Sequence, residues 1–195
     1  MSQLTNFFFE VGMLAQTPRS GFAFLGSGGQ SVAEHTYRMM NVAFILNKLV
    51  DEPVDELHLL KLVLFHDLPE ARTGDLNYEN QKYVTVNEEK LFGDLEKDLP
   101  YGSEIVAYMK EYETRATLAA RIAYDADQLE FLLTVKEELD KGNPLADDWI
   151  PPAVARLKSP AAQKLAQEIL ESRMDEWWFA NKQDEHWVNR GRTSS

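Results

Sequence analysis

Hydrophobic residues recur along this chain every three or four positions, which is the spacing of one face of an α-helix. Near the N-terminus, Leu4, Phe7, Phe8, Val11 and Leu14 follow this spacing and predict a short amphipathic helix. The same reasoning predicts further helices over residues 31–50, 54–72, 87–98, 103–113, 114–139 and 160–179. No stretch alternates apolar and polar residues as a half-buried strand would. The pattern therefore predicts an all-α fold.

Three positions carry specific boundary signals. Ser31, followed three residues later by Glu34, fits a capping box at the start of a helix. Pro69 lies inside the helix predicted over 54–72, where it has no N–H to donate and crowds the preceding turn, so a bend is expected there. Gly74 is typical of the residue that follows the last turn of a helix.

Three further segments have less specific sequence signals. The helix over 87–98 is rich in charge and is expected to lie on the surface, and residues 141–152 are expected to form a proline-containing loop. The last predicted helix ends in the aromatic residues Trp177, Trp178 and Phe179. We expect these rings to cover the core or a subunit contact.

The length of 195 residues predicts a single domain over 1–195, large enough for a substantial core. There is no apolar run of 18 residues, so we expect no membrane-spanning helix. No basic-then-apolar leader precedes the first helix, and a cytoplasmic location is expected.

Charge and cysteine content narrow the chemistry. A net charge of −12 argues against binding a nucleic-acid polymer, although a small phosphorylated substrate could still be held by a few local cations. Arg19 could be such a cation, or simply a solvated side chain. The chain has no cysteine, so any metal must be bound by histidine and carboxylate, which favours Mn, Co, Mg, Fe or Zn.

Residues 59–65 form a run that is apolar apart from Lys61, and the adjacent pair His66 and Asp67 follows it. Burying such a pair costs desolvation free energy unless a charged or polar partner offsets it, and a divalent cation would be such a partner. Glu70 lies one helical turn after His66 and shares its face if the helix continues. Asp75 would then lie in a loop at the mouth of the site.

Further ligand candidates lie on other predicted helices. His35 falls in the first turn of the helix over 31–50, on its core-facing stripe, and is either a buried core histidine or a ligand that faces His66. Asp125 and Asp127 both interrupt the long helix over 114–139. Each has apolar neighbours at helical spacing, so periodicity does not choose between them, and either could instead be a solvated surface residue.

The order histidine, His-Asp, aspartate on successive helices resembles the HD-domain superfamily of metal-dependent phosphohydrolases. It is similar in particular to the bacterial 5'-deoxynucleotidases and their eukaryotic HD-domain relatives. The resemblance covers a motif-bearing core of about residues 12–140, followed by a C-terminal helix and polar tail over 160–195. The matching segments are Pro18-Arg19-Ser20-Gly21-Phe22, Ser31–Arg38, His66–Asp75 and Asp127-Gln128.

Roles for individual residues follow from this resemblance. It implies that one divalent metal ion is ligated by four side chains: His35, His66, Asp67 and Asp127. Glu70 matches the carboxylate that helps to activate water, Asp75 one near the sugar and the leaving oxygen, and Arg19 the phosphate-binding arginine. Ser20 departs from the family pattern, because the deoxynucleotidases have tryptophan at that position, near the sugar.

The resemblance implies a helical bundle with the metal site between helices, and hydrolysis of nucleoside or deoxynucleoside 5'-monophosphates to nucleoside and phosphate. Alternatives are a cyclic-nucleotide phosphodiesterase, a nucleoside-triphosphate hydrolase, or a non-catalytic helical module in which the metal is a structural clip. The family habit and the aromatic last helix also predict a homodimer.

Overall fold

The computed structural model describes residues 3–190, and all structural statements below concern that part of the chain. Within it no strand is formed; one isolated β-bridge pairs Pro18 with Ser31. The prediction of an all-α fold is confirmed. The helices are α1 (Gln3–Met13), α2 (Phe22–Leu25), α3 (Val32–Leu49), α4 (Glu56–Phe65), α5 (Glu70–Thr73), α6 (Glu88–Asp98), α7 (Gly102–Thr114), α8 (Leu118–Asp140), α9 (Ile150–Arg156), α10 (Pro160–Glu171), α11 (Glu176–Phe179) and α12 (Glu185–Val188), with 3₁₀ turns at Asn80–Lys82 and Pro144–Trp149.

Helix α8 is the centre of the bundle. It packs against α3, α4, α7, α9 and α10, so apolar side chains are buried on several of its sides. The main core combines α8 with side chains from its neighbours, including Met39, Leu46, Leu62, Leu129 and Ala166. Burial of each large apolar side chain contributes about 1.5–3 kcal/mol relative to exposure. Loops and helix ends around α8 are therefore held on a rigid frame.

A second core lies between α6 and α7. Leu91, Phe92 and Leu95 of α6 are buried there, so the prediction of a solvent-exposed helix over 87–98 is wrong for one face. These positions form a narrow apolar stripe on an otherwise charged helix, which is enough to bury it. At Gly102, the first residue of α7, an added Cβ would lie 2.2 Å from the carbonyl oxygen of Leu95. Glycine thus permits the close approach of the two helices.

The start of α3 forms the predicted capping box. The Ser31 hydroxyl accepts a hydrogen bond from the backbone N–H of Glu34 at 3.2 Å, and the Glu34 carboxylate accepts one from the N–H of Ser31 at 2.7 Å. Two of the N–H groups that a helix start leaves unpaired are satisfied in this way. The first turn of α3, which carries His35, is therefore well fixed.

The helix predicted over 54–72 is interrupted rather than only bent. Helix α4 ends at Phe65, whose carbonyl accepts the N–H of Leu68 at 3.2 Å, and α5 begins at Glu70. Pro69 cannot donate an N–H to continue the helical ladder, so the break lies at the position that the sequence predicts. Gly74 follows α5 with a φ of 72°, a conformation that favours glycine.

Two boundaries in the middle of the chain differ from the predictions. The prediction of one long helix over 114–139 is wrong at its start. Helix α7 continues to Thr114, and α8 begins at Leu118 after a turn in which Arg115 has a φ of 51°. The segment 141–152 is not an irregular loop, because it contains a 3₁₀ turn and the start of α9. Prolines in the first turn of a helix are compatible with it, since N–H groups there have no intrahelical partner.

The helix predicted over 160–179 is likewise divided, into α10 and α11. The backbone turns away at Ser172, and the next segment is held by a hydrogen bond from the N–H of Met174 to the Asp140 carboxylate at 2.9 Å. Trp177 is 87% exposed, so it does not cover the core, and the other expectation for the terminal aromatic rings, a subunit contact, stays a prediction. The rings of Trp178, Phe179 and Trp187 instead contact one another.

The structure describes the predicted polar tail only as far as residue 190, and residues 191–195 lie outside the described part. Among residues 3–190, no helix is both long and apolar enough to cross a bilayer.

Candidate metal and phosphate site

Polar side chains from α3, from the turn after α4 and from α8 meet at one point. His35 lies in the first turn of α3, His66 directly follows α4, and Asp127 lies near the middle of α8. One potential ligand atom from each of these three residues lies within 4.8 Å of the other two. The residues that the sequence proposes as ligands on three separate helices are thus neighbours in space.

The imidazole of His35 is fully buried and faces a carboxylate on each side. Its Nδ1 lies 2.5 Å from Oε2 of Glu130, and its Nε2 lies 3.4 Å from Oδ1 of Asp127 without a hydrogen-bond partner. Burial lowers the pKa of His35, but the neighbouring carboxylates of Asp127 and Glu130 outweigh it and raise the pKa to about 9. A divalent cation at Nε2 would take the place of a proton there.

His66 is oriented by the backbone. Its Nδ1 lies 2.7 Å from the carbonyl oxygen of Val63, so Nδ1 carries a proton and Nε2 has the free lone pair. Its Nε2 is also buried and has no hydrogen-bond partner. Two buried imidazole nitrogens that face one carboxylate oxygen are a donor set that fits a divalent cation.

Asp127 has one carboxylate oxygen bound within the protein and the other directed to the cluster. Its Oδ2 accepts hydrogen bonds from the Tyr112 hydroxyl at 3.1 Å and from the Gln128 amide at 2.9 Å, while Oδ1 faces His35. Burial raises the pKa of Asp127, but the adjacent charged imidazole of His35 keeps it well below its usual range. The carboxylate therefore stays ionised, with one oxygen directed to the cluster.

Asp125 points elsewhere. It is buried, and its two carboxylate oxygens accept the backbone N–H groups of Lys158 and Ser159, each at 2.8 Å. These bonds hold the chain at the start of α10. Of the two aspartates that periodicity does not separate, the structure brings Asp127 to the histidines and gives Asp125 a structural role. Surface solvation, the alternative for both, does not describe Asp125.

Asp67 borders the same space but is partly engaged elsewhere. Its Oδ2 lies 3.1 Å from Nε2 of His66 and 3.7 Å from Nε2 of His35. The same oxygen accepts a hydrogen bond from the Arg19 guanidinium at 3.3 Å. Asp67 is therefore within reach of a shared cation, and its role as a ligand stays a prediction.

Glu70 lies in the cleft with an unsatisfied oxygen. Its Oε2 is buried and has no hydrogen-bond partner. Burial, together with the negative charges of Asp67 and Asp75, raises the pKa of Glu70 to about 9. A carboxyl group with a raised pKa beside a ligand cluster is suited to hold or transfer a proton.

Arg19 and Asp75 close the other side of the cleft. The loop that carries Arg19 is fixed by its backbone N–H, which donates to the Gln30 carbonyl at 2.8 Å. Arg19 Nη1 lies 4.0 Å from Asp75, whose Oδ2 accepts both the backbone N–H of Ser20 at 2.5 Å and its hydroxyl at 2.9 Å. Burial lowers the pKa of Arg19. The negative charges of Asp67, Asp127 and Asp75 outweigh this effect and raise the pKa above its usual value, so the guanidinium stays charged.

Two residues that contact this site, Glu130 and Tyr112, are not among those that the sequence predicts. Glu130 is recognisable in retrospect, because it is a charged residue among apolar neighbours, three positions after Asp127 on the same helix. Tyr112 carries no such signal, since an aromatic residue near the end of α7 is compatible with an ordinary core position.

Comparison with known proteins identifies the family of the chain. The family model of the HD domain matches residues 11–170, a range that extends beyond α8 into α10. The chain is 27% identical over 175 residues to 5'-deoxynucleotidase HDDC2 of Bos taurus, covering 85% of this chain and 83% of the relative. For 5'-deoxynucleotidase HDDC2 of Dictyostelium discoideum the identity is 31% over 153 residues, covering 70% and 78%.

A solved structure shares the fold. A conserved hypothetical protein from Pyrococcus furiosus superimposes with a TM-score of 0.72 at 27% identity, covering 85% of this chain and 98% of that chain. The resemblance seen in the motifs is thereby confirmed over most of the chain. The chain belongs to the HD domain family.

Proposed function

We propose that this protein is a metal-dependent phosphomonoesterase that hydrolyses nucleoside 5'-monophosphates to a nucleoside and inorganic phosphate. The observation that carries the proposal is the pair of buried imidazole Nε2 atoms of His35 and His66, both without partners and close to Asp127. Relatives at 25–31% identity that are named 5'-deoxynucleotidase support the nucleotide substrate.

One divalent ion, of Mn, Co, Mg, Fe or Zn, would be held by four side chains: His35, His66, Asp67 and Asp127. When bound, such an ion lowers the pKa of a coordinated water and neutralises charge on a phosphoryl group. Two imidazoles and two carboxylates leave positions for water and a phosphate oxygen. Asp67 would give up part of its contact with Arg19 when it ligates.

Arg19 would bind the phosphate of the substrate. In the described structure its guanidinium already lies at the cluster and contacts Asp67. Because a guanidinium presents its N–H groups as a planar fork, it can bind two phosphate oxygens at once. The fixed backbone of its loop would keep the phosphate next to the ligand cluster.

Glu70 would take the proton from the attacking water. Its raised pKa reflects burial beside Asp67 and Asp75, and a positive charge in the cleft favours the ionised form that can accept a proton. Asp75 would lie near the sugar and the leaving oxygen. These assignments make Glu70 a base and Asp75 a positioning group for the substrate.

Ser20 bears on whether the enzyme distinguishes ribose from deoxyribose. Where the deoxynucleotidases have tryptophan, this chain has a small residue whose hydroxyl donates to Asp75 and accepts the side-chain amide of Asn77 at 3.1 Å. No bulky ring is present at this position to contact a sugar. The proposal therefore covers ribonucleotides and deoxyribonucleotides alike.

A substrate panel tests the proposal. Protein loaded with Mn or Co should release phosphate from nucleoside monophosphates and fail to do so after chelation. Release of phosphate from triphosphates but not monophosphates, or hydrolysis of cyclic nucleotides alone, would favour the alternative enzymes. If the loaded protein hydrolyses no phosphoester at all, the metal is a structural clip. A cytoplasmic location stays a prediction.

A further inference from the structure

The carboxylate of Glu130 is buried behind His35 and takes no part in the reaction proposed above. It is 1% exposed and lies on α8, three residues after Asp127. Its Oε2 lies 2.5 Å from Nδ1 of His35, on the opposite side of the imidazole from the ligand cluster. The side chain thus contacts the cluster only through this histidine.

The other oxygen of Glu130 is fixed by three donors. Oε1 accepts hydrogen bonds from Nε of Arg38 at 2.8 Å, from the Gln30 amide at 2.7 Å and from the Thr134 hydroxyl at 3.3 Å. The donors come from α3, from the loop before it and from α8 itself. A carboxylate held from three directions has little freedom to rotate, so the position of Oε2 is fixed.

We propose that Glu130 is the positioning residue that keeps the proton of His35 on Nδ1 and directs the Nε2 lone pair to the metal. The inference rests on the proposed function, because it takes His35 as a ligand. Histidine ligands commonly donate their second N–H to a carboxylate or carbonyl, which fixes the tautomer and the ring orientation. Val63 provides this partner for His66 through its backbone carbonyl, whereas for His35 the partner is a side chain and can be substituted.

Glu130→Gln separates this role from simple packing. The new amide has almost the same shape, but only one of its two ends can accept hydrogen bonds. Three donors surround the Oε1 position, so the amide oxygen will occupy it and the NH₂ group will face His35. Nδ1 of His35 must then accept, which moves its proton to Nε2 and removes the lone pair from the ligand cluster.

The experiment measures zinc affinity by competition with a chelator in the full-length wild type, in Glu130→Gln and in a control. Glu137→Gln is the matched control, because Glu137 also pairs with Arg38, at 2.6 Å, but at the solvent edge of the same helix. We expect Glu130→Gln to bind zinc about 10- to 100-fold more weakly. Glu137→Gln should bind as the wild type does.

A second readout would not respond to a merely structural role. In zinc-saturated protein labelled with ¹⁵N-histidine, the Nδ1 proton of His35 should resonate far downfield because of its short bond to Glu130. This signal should move upfield or disappear in Glu130→Gln and persist in Glu137→Gln. If Glu130→Gln does not fold, the same two measurements are made on Glu130→Asp. This variant keeps a negative charge beside Arg38, but its shorter side chain moves the carboxylate away from His35.

Two failures are distinguishable. If the wild type binds neither zinc nor Mn or Co, the proposed function fails and this inference fails with it. If the wild type binds zinc and both Glu130 variants bind it equally well, or keep the downfield proton, the positioning role alone is overturned.

Discussion

At the scale of single residues, the site depends on how each histidine uses its two nitrogens. In His35 and His66 the Nδ1 atom has a partner within the protein, and the buried Nε2 atom has none. An unpaired buried polar group costs about 1–3 kcal/mol. Both unpaired nitrogens lie at the same cluster, so a single cation there would relieve both costs.

Asp67 and Glu70 should separate metal binding from catalysis. Asp67→Ala should lose the metal, because it removes one of four donors. Glu70→Gln should retain the metal but lose turnover by about 10²- to 10⁴-fold, since it removes a proton acceptor and no ligand. Metal content and phosphate release, measured on the same purified samples, test both expectations. Glu70→Gln protein that is empty of metal would identify Glu70 as a ligand instead.

Substitution of Asp127 should affect metal binding, whereas substitution of Asp125 should affect stability. Asp127→Ala should abolish metal binding. Asp125→Ala should leave it intact but lower the free energy of unfolding by about 1–3 kcal/mol, because the N–H groups of Lys158 and Ser159 lose their acceptor. Urea denaturation and metal analysis of both variants check this. An Asp125→Ala protein that is stable yet metal-free would place the fourth ligand on the other face of α8.

At the scale of elements, the break between α4 and α5 shapes the cleft. His66 and Asp67 lie in the turn after α4, and Glu70 opens α5. In a continuous helix the carboxylate of Glu70 would project beside His66 one turn later. Because Pro69 cannot donate to the helical ladder, α4 and α5 are joined by a turn with i to i−3 hydrogen bonds. Asp75, which follows α5, is held by the backbone N–H and the hydroxyl of Ser20.

The contact between α6 and α7 gives a prediction about stability alone. Gly102→Ala should lower the free energy of unfolding by about 1–3 kcal/mol, because its Cβ would meet the Leu95 carbonyl and overpack the contact. Gly93→Ala is the matched control, since an added Cβ at this position in α6 meets nothing within 4 Å. It should stabilise the protein by about 0.5–1 kcal/mol. Urea denaturation of both variants would show opposite signs; equal losses would contradict the steric argument.

At the scale of the whole molecule, exposed aromatic surface supports the prediction of a homodimer. Trp177 is 87% exposed beside the cluster formed by Trp178, Phe179 and Trp187. Exposed apolar patches often mark contacts with other chains. Light scattering at micromolar concentration should give twice the 22.3 kDa of one chain.

A pair of variants identifies the surface of the predicted dimer. Trp177→Ser should weaken association, whereas Phe9→Ser, on the exposed side of α1 where Phe9 is 71% exposed, should not. A wild-type mass of one chain would contradict the dimer itself. Loss of the dimer only in Phe9→Ser would place the contact on α1.

The sequence by itself determined the helical class, the capping box of α3 and the position of the irregularity at Pro69, although it predicted a bend there and not a break. Each of these depends on local physics: the spacing of apolar residues, the bonding of one side chain to a nearby N–H, and a missing donor. It also predicted His66 as a candidate metal ligand, because burying a His-Asp pair costs desolvation free energy, and left His35 open between a core residue and a ligand. These features need no knowledge of which helix lies beside which.

Only the tertiary structure decided between Asp125 and Asp127. Helix α8 is surrounded by α3, α4, α7, α9 and α10, so it has no single polar face that periodicity could identify. Motif resemblance favoured Asp127, and packing gives the physical reason, since α10 begins over Asp125 and takes both of its oxygens.

Tertiary structure also revealed Glu130, whose partners lie about a hundred residues away along the chain. The sequence did not predict the division of the last helix either, and the segment after the division is held by the distant carboxylate of Asp140. Contacts between residues far apart in sequence are set by how helices pack, and local patterns do not record them.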